Sequence, residues 1–215
     1  MAVPKDAAAD RVLRAAVQAL ATYGYAGTTA RSIGAIGGFA PGVIYYYFAD
    51  LDAVHAATLE HTSREREARY RESVAGVTSA VTLVERLRHL YQEDTDSGHI
   101  EAIQELISAA RPGTPLAAAV AAQTQRWESL AEDVLRTLLR GSPLARLVKP
   151  PVAARAAVAY YLGLQTLTYL DGDAQRPRAA FAQAARLAAA YDKLPRLRRR
   201  GAGSGADSRT KSVIT

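Results

Sequence analysis

The stretch from Ile33 to Phe48, IGAIGGFAPGVIYYYF, constrains the fold of this chain more than any other part of it. Two adjacent glycines precede a Pro-Gly pair, and three consecutive tyrosines follow closely. Gly38 supplies a position where positive φ carries no steric cost, which a tight turn between two helices requires. Pro41 suits the first position of the second helix, because its missing N–H needs no partner there. The stretch therefore predicts two short helices joined by a tight turn.

Apolar spacing predicts how these two helices pack. Thr29 is placed to cap the first helix. Its predicted buried face recurs every three or four residues, at Ala30, Ile33, Gly34 and Gly37. Phe39 is expected to plug the corner, while Ile44 and Phe48 anchor the second helix against the first. The arrangement is a helix-turn-helix, the motif whose second helix enters the major groove of DNA.

The second helix has the composition that a recognition helix needs. Its N-terminal end must be slim to enter the groove, and Pro41, Gly42 and Val43 meet that requirement. Tyr45, Tyr46 and Tyr47 are expected to reach phosphate oxygens through neutral hydroxyls. For any one tyrosine, packing within an aromatic patch is the alternative interpretation.

Helical periodicity extends over nearly the whole chain. A first helix is predicted from Ala7 to Tyr23, with Asp6 as its N-cap and Gly24 as its stop. Further helices are predicted from Leu51 past Tyr70 and at 81–95, 100–110, 116–140, 151–170 and 177–194. The SREREARYRE segment of the long helix alternates in charge sign, as on a solvated surface. No alternating strand pattern occurs, so the sequence predicts an all-α protein.

Charge is concentrated at one end of the chain. The net charge is +6, but residues 195–215 hold six Lys or Arg and one Asp, which leaves the rest nearly neutral. This Gly-, Ser- and Arg-rich segment reads as a basic, disordered tail, either a solubilising terminus or a phosphate-binding arm. No apolar run approaches the length of a membrane span, so we predict a soluble, cytoplasmic protein without a membrane partner.

The residues that enzymes and metal sites need are missing at recognisable spacing. The chain has no Cys, and its four His residues form no HxxxH or HxxE pattern, so no metal site and no cofactor is predicted. No nucleophile–base pair, carboxylate–histidine cluster or phosphate loop is evident. We therefore predict that the protein is not an enzyme.

Residues 7–60 resemble the N-terminal domain of the TetR family of transcriptional regulators. The resemblance rests on several elements in order: a helix ending in Gly-Tyr, then Thr-Thr, Ile-Gly, Gly-Gly, Pro-Gly-Val and Ile-Tyr-Tyr-Tyr-Phe. It implies a helix-turn-helix DNA-binding domain at 1–50 and a helical ligand-binding and dimerisation domain at 51–194. It also implies a ligand-responsive regulator, a repressor, that binds a near-palindromic operator as a homodimer. A partly apolar small-molecule effector would release it.

The resemblance also implies roles for individual residues. Thr29 would touch a phosphate as well as cap its helix, and Arg31 would contact a base, with a surface salt bridge as its alternative. Two positions depart from the family pattern, since Ala40 stands where Ser is usual and Leu51 where Lys is usual. These departures leave a second hypothesis open: a helical ligand-binding or adaptor dimer whose DNA head has lost its function.

The C-terminal region offers candidates for an effector pocket and a dimer interface. Gln123 and Trp127 lie on one face of the helix at 116–140 and can orient or stack on a ligand. The other candidates lie on neighbouring helices: His55, Thr58, Thr62, Tyr91, Gln104, Tyr160, Tyr161 and Gln165. Ordinary core packing is the alternative for each. The last two helices carry small residues at helical spacing, which favours a four-helix dimer interface, although burial within the monomer explains them almost as well.

Overall fold

The structure is a computed structural model that describes residues 5–195, and this part of the chain is all-α, as predicted. Its α-helices are α1 (Lys5–Gly27), α2 (Ala30–Gly37), α3 (Gly42–Tyr47), α4 (Leu51–Val74), α5 (Ala80–Asp96), α6 (His99–Ala109), α7 (Pro115–Leu139), α8 (Pro150–Asp171) and α9 (Gln175–Asp192). A short 3-10 helix, Pro143–Arg146, lies between α7 and α8 and was not predicted.

The first helix departs from its predicted end at Gly24. This residue has a φ of 69° and a ψ of 179°, so the helix breaks there, as a glycine stop predicts, but one further turn continues to Gly27. The predicted cap at Asp6 concerns a side chain outside the described part of the chain. The predicted basic tail also lies outside the described residues, apart from Pro195.

Helices α1, α2 and α3 enclose a small apolar cluster with the first turn of α4. The cluster is formed by Val12, Ala15, Ala16, Ala19, Ile33, Ile44 and Val54. Ala30, Ile36, Phe39, Phe48 and Leu51 pack against it. Ile33, from the predicted buried face of α2, and the predicted anchor Ile44 are fully buried, and the second predicted anchor, Phe48, packs against the cluster. The sequence therefore identified the contact between the two short helices correctly. We call this region, residues 5–50, the head.

A second face of α1 packs against the rest of the protein. Val17 and Leu20 of α1 join Leu59 of α4 and the α6 residues Ala102 and Leu106 in a second apolar cluster. A third cluster lies farther from the head, where Tyr70 and Val74 of α4 meet α5 and α7. The region from α4 to α9, which we call the body, therefore shares its core with α1 of the head.

The end of α9 is bound to the start of α5. The Asp192 carboxylate accepts hydrogen bonds from the Ser79 hydroxyl at 2.7 Å and from the backbone N–H groups of Ala80 and Val81 at 2.9 and 3.1 Å. Ser79 itself caps α5 through the N–H of Thr82. A carboxylate suits a helix N-terminus, because it satisfies unpaired N–H donors and complements the helix dipole.

Among residues 5–195, no helix is long and apolar enough to cross a lipid bilayer.

Candidate nucleic-acid interface and ligand cavity

The turn between α2 and α3 has the geometry that the sequence predicts. Thr29 caps α2 by accepting a hydrogen bond from the N–H of Ser32 at 3.2 Å, and the Ser32 hydroxyl accepts from the N–H of Thr29 in return. Gly38 ends the helix in the left-handed region with φ of 66°. A β-carbon added at Gly34 would lie 2.7 Å from the carbonyl oxygen of Phe39. The glycine therefore permits a close approach of two backbone segments.

Arg11 of α1 also holds this turn. Its Nε donates to the carbonyl of Gly37 at 2.9 Å, and its Nη2 donates to that of Gly38 at 3.3 Å. Its guanidinium also lies over the Phe39 ring, 5.8 Å from the centroid. Arg11 could not be identified from the sequence, because an exposed arginine in an amphipathic helix gives no local signal of a partner 26 residues later.

The outer surface of the head is formed by residues that the sequence assigned to DNA. Thr29, Arg31, Pro41 and Gly42 are exposed, and Val43 and Tyr47 are half-buried. Tyr45 is 54% exposed and Tyr46 73% exposed. The ring of Tyr46 also packs edge-on against that of Tyr47, with centroids 4.9 Å apart. Tyr46 and Tyr47 therefore form a small aromatic patch, while Tyr45 and Tyr46 stay largely exposed.

Three further positions at or beside this surface are Arg31 and the two positions that depart from the TetR pattern, Ala40 and Leu51. Arg31 forms no ion pair with any residue between 5 and 195. No side chain caps α3, in keeping with Ala40 in place of a serine. Leu51 packs against the apolar cluster of the head, while Asp50 caps α4 through the N–H of Ala53 at 2.7 Å. A lysine at residue 51 would thus exchange apolar packing for a cation.

A cavity of about 370 Å³ lies within the body, among all six helices from α4 to α9. Its wall is almost entirely aliphatic and aromatic, with residues such as Leu83, Leu87, Val120, Leu130 and Phe181. Its volume lies at the lower end of the range of roughly 300–1,000 Å³ typical of ligand sites. Five of the ten predicted pocket residues line it: Gln123, Trp127, Tyr160, Tyr161 and Gln165.

The other five predicted pocket residues lie outside this lining. His55, Thr58 and Thr62 are buried on α4, near the contact with α1 and α6. Tyr91 packs edge-on against Tyr161 and Phe181, behind the wall. Gln104 accepts a hydrogen bond from Thr166 at 2.8 Å. Helical spacing identified these polar positions as internal but gave no indication of which internal face meets open space.

His55 has an unusual environment at the junction of head and body. It is buried, its ring centroid lies 4.5 Å from that of Tyr25, and neither ring nitrogen has a hydrogen-bond partner among the described residues. Burial lowers the pKa of His55, and the nearby Asp52 carboxylate opposes this only in part. We therefore expect a neutral imidazole at neutral pH.

A buried charged network lies beside the cavity, in a segment that the sequence predicts to be solvated. The SREREARYRE segment was expected to be a solvated surface, yet Arg66 is only 5% exposed and its partner Asp94 is fully buried. Arg66 Nε and Nη2 lie 2.8 and 2.7 Å from Asp94 Oδ2, and Arg69 pairs with Oδ1. The Tyr70 hydroxyl donates to Oδ2 at 2.9 Å. The alternating charges concealed a buried series at helical spacing, namely Ser63, Arg66, Tyr70 and Val74.

Two phenols extend this network to the cavity wall. The hydroxyls of Tyr70 and Tyr161 are 3.2 Å apart, and both residues line the cavity. Burial raises the pKa of both phenols, and for Tyr70 the neighbouring Tyr161 and Asp94 raise it further. Both therefore stay protonated at neutral pH. Within the described part of the chain, no group of His, Cys, Asp and Glu residues could hold a metal ion.

Comparisons with known proteins identify the fold. No protein-family model and no curated protein sequence matches this chain. Among solved structures, a protein from Rhodococcus sp. described as a candidate TetR-family transcriptional regulator is similar, with TM-score 0.70, 22% identity, and 84% of this chain and 98% of that chain covered. The fatty acid degradation regulator FadR from Bacillus halodurans is also similar, with TM-score 0.67 and 19% identity, and 83% of this chain and 96% of that chain are covered.

A further similar structure was solved with a ligand. It is the transcriptional regulator FadR from Bacillus subtilis in complex with stearoyl-CoA, with TM-score 0.67, 14% identity and coverage of 83% and 96%. At these identities the similarity establishes the fold alone. The chain thus has the all-α fold of solved TetR-family transcriptional regulators, over most of the length of those proteins.

Proposed function

We propose that this protein is a TetR-family transcriptional regulator, a repressor that binds a near-palindromic operator as a homodimer and is released by a small-molecule effector. The observation that carries the proposal is the exposed, slim N-terminal end of α3, with its row of tyrosines, in the same chain as an apolar cavity. The first feature suits a DNA groove and the second suits a small ligand. No enzymatic function has comparable support.

The proposed DNA contacts follow from the surface of the head. Pro41, Gly42 and Val43 would lie in the major groove, where apolar side chains can contact thymine methyl groups. Tyr45, Tyr46 and Tyr47 would bind phosphates or nearby bases, and Thr29 would bind a phosphate beside the N-terminus of α2. Arg31 would read a base, since no residue in the described chain neutralises it.

Homodimer formation is supported by the apolar surface of α8 and α9. Large side chains are exposed along both helices: Val152, Tyr160, Leu167, Leu170 and Leu187. Small residues lie among them, including Gly163, and permit close approach of a second helix pair. A twofold dimer would present two copies of α3 to successive major grooves about one helical turn apart. We propose that the two helices form this interface with their counterparts in a second copy.

The contacts of α6 supply a route from the cavity to the head. Ile103 and Ile107 line the cavity, while Leu106 between them packs on α1. The Glu105 carboxylate accepts the backbone N–H of Tyr25 just after the break in α1, and also the hydroxyl of Tyr169 on α8. An effector that displaces α6 would therefore bias the position of the head, by no more than its differential affinity for the two states.

The similar solved structures agree with a body that accepts ligands. FadR from Bacillus subtilis was solved with stearoyl-CoA, and the multidrug binding protein EbrR with imidazole. These ligands belong to those proteins, and they differ widely in size and charge. The fold alone therefore leaves the effector of this protein open.

The first test is selection of bound DNA from a random duplex pool, followed by a salt titration of affinity for the selected sequence. We expect an enriched near-palindrome, bound far more tightly than random DNA. Binding to random DNA should be weak and depend only modestly on salt, since neutral hydroxyls release few counterions. If no sequence is enriched, the adaptor hypothesis, in which Ala40 and Leu51 reflect a head that no longer binds DNA, becomes the better one.

Replacement of Arg31 by Ala gives a sharper version of this test. If Arg31 reads a base, the change should cost about 1–3 kcal/mol of affinity for the selected operator and relax the sequence preference at one position. Arg88→Ala is the matched control, because Arg88 is an exposed arginine on α5, away from the head. Equal operator affinity in both variants would count against base contact by Arg31.

A further inference from the structure

The polar groups around the cavity carry information about the effector itself. This inference rests on the proposed function, because it concerns the ligand of the same regulator. Among the described residues that line the cavity, Arg66 is the only charged one. Whether this cation is available to a ligand decides which class of molecule the cavity accepts.

Arg66 is already neutralised from within the protein. Asp94 Oδ2 accepts from its Nε and Nη2, and the Arg66 side chain and Asp94 are almost completely removed from solvent. Asp94 also pairs with Arg69, whose charge is balanced by Glu93 at 3.7 Å. A ligand carboxylate would have to compete with this partner. It would also lose its hydration on entering an aliphatic wall, a cost that an unpaired buried anion cannot recover. The cavity therefore disfavours fatty carboxylates and other anions.

A cationic ligand is disfavoured for related reasons. No Asp or Glu is present among the described lining residues, so a cation would lack a counter-charge. Aromatic faces can also bind cations. The Arg66 guanidinium, however, already lies over the rings of Trp127 and Tyr70, with its central carbon 5.5 and 5.9 Å from their centroids. These two faces are thus occupied by the protein's own cation.

One polar group in the wall has no partner. Gln165 is 3% exposed, and its Nε2 makes no hydrogen bond of good geometry with any described residue. Its polar neighbour is the Tyr161 hydroxyl, and the Gln165 amide partly opposes the rise in the pKa of that phenol. It lies on α8 one turn after Tyr161, and both side chains line the cavity. A buried N–H group without an acceptor is costly, and native proteins rarely leave one unmatched. An oxygen acceptor on a bound ligand would satisfy it.

We propose that the effector is an uncharged, predominantly apolar molecule with one hydrogen-bond-accepting oxygen, such as an ester, a ketone or an alcohol, and that this oxygen binds Gln165 Nε2. The apolar part fills the space between Trp127 and the leucines of α5. The Arg66–Asp94 pair acts as a filter, because it neutralises the charge that would otherwise attract an anion. Acyl-CoA and free fatty acids are excluded on this basis.

The test is a fluorescence titration of the full-length protein at pH 8. Trp127 is the only tryptophan in the sequence and lines the cavity, so its emission reports occupancy directly. The probes share a ten-carbon chain: methyl decanoate, decanoate and decyltrimethylammonium. We expect methyl decanoate to bind at least about tenfold more tightly than either ion, because only the ions lose the hydration of a full charge when they enter the cavity. Binding of decanoate as tight as that of the ester, or no binding of the ester, overturns the proposal.

Gln165→Leu tests where the oxygen binds. Loss of one hydrogen bond should lower the affinity for methyl decanoate by roughly three- to tenfold. The melting temperature should stay level or rise, because the change removes an unpartnered N–H. Gln92→Leu, on the exposed side of α5, is the matched control and should leave ester affinity unchanged. Unchanged ester affinity in Gln165→Leu, or a clear loss of stability, shows that Gln165 serves the fold instead.

DNA release separates this inference from the proposed function. If methyl decanoate changes Trp127 emission but leaves a selected operator bound, the ligand class stands and the regulator proposal fails. If decanoate alone binds and releases the operator, the regulator proposal stands and the ligand class is overturned.

Discussion

The head and the body of this protein differ in how closely their atoms are packed. In the head, the backbone at Gly34 passes so close to Phe39 that a methyl group has no room. In the body, the helices leave about 370 Å³ between them and bury a charged pair beside the space. Close packing makes a region stiff, because every displacement meets another atom. The difference suggests that the head presents one constant surface, while the body is the part that can adapt.

The largest expected effect lies in the body, at Asp94. Asp94→Asn leaves the Arg66 charge buried without a full counter-charge, which should cost about 3–5 kcal/mol in the free energy of unfolding. Chemical denaturation followed by circular dichroism measures it. Glu93→Gln is the matched control, because that neighbouring carboxylate is half-exposed and should contribute less than about 1 kcal/mol. A loss for Asp94→Asn as small as that for Glu93→Gln would show that the network does not stabilise the body.

The next largest effect lies in the head, at Gly34. Gly34→Ala forces a β-carbon against the backbone of Phe39, and overpacking of this kind costs about 1–3 kcal/mol. Gly42→Ala is the control, since a β-carbon there has no atom within 4 Å and alanine favours a helix. We expect thermal unfolding to show a loss only in the first variant, and operator affinity to fall in the second because Gly42 is proposed to lie in the major groove. A stable Gly34→Ala protein would contradict the rigid head.

A smaller effect is expected where the two regions meet, at Glu105. Glu105→Gln weakens the bonds from the Tyr25 N–H and the Tyr169 hydroxyl, and should lower stability by about 1 kcal/mol after allowance for partial exposure. Tyr169→Phe removes only one of these bonds and should cost less. Denaturation midpoints of the two variants provide the comparison. The reverse order would place the important contact on α8 rather than on α1.

The smallest effect is a pH dependence at the same junction, from His55. Below about pH 6.5, His55 is protonated in the unfolded chain but still neutral in the folded chain, because burial lowers its pKa in the fold. Its contribution to stability is therefore present above that pH and declines as the pH falls towards the lowered pKa. His55→Phe should flatten the difference between unfolding free energies at pH 7 and pH 5. His99, whose pKa burial also lowers, is unchanged in this comparison.

The head could be predicted from sequence because its determinants are local. A threonine cap, a left-handed glycine and a proline at a helix start act within a few residues of their own positions, and Thr29 and Gly38 have the predicted roles. Arg11 could not be found in this way, since its acceptors lie 26 and 27 residues along the chain. The contact depends on how α1 crosses α2, which helical periodicity leaves unspecified.

The body shows why the cavity was predicted only in part. Helical spacing marks Gln123 and Gln165 as internal, and both line the cavity. It marks His55 and Gln104 as internal too, yet they meet other helices instead of open space. The burial of Arg66 depends on a carboxylate 28 residues away. Such pairings arise from tertiary packing, and the alternating charges around Arg66 are typical of a solvated surface.

The bond between Asp192 and the start of α5 makes two helices distant in sequence a single cooperative element. The N–H groups of Ala80 and Val81 lie 112 and 111 residues before Asp192 in the chain and donate to its carboxylate. Opening the last turn of α9 would therefore expose both N–H groups. Amide protons in the first turn of α5 should then exchange with solvent at a rate set by the opening of the last turn of α9. The two segments should show the same hydrogen-exchange rate. A shortened chain that ends before residue 192 would therefore loosen a wall of the cavity from its far side.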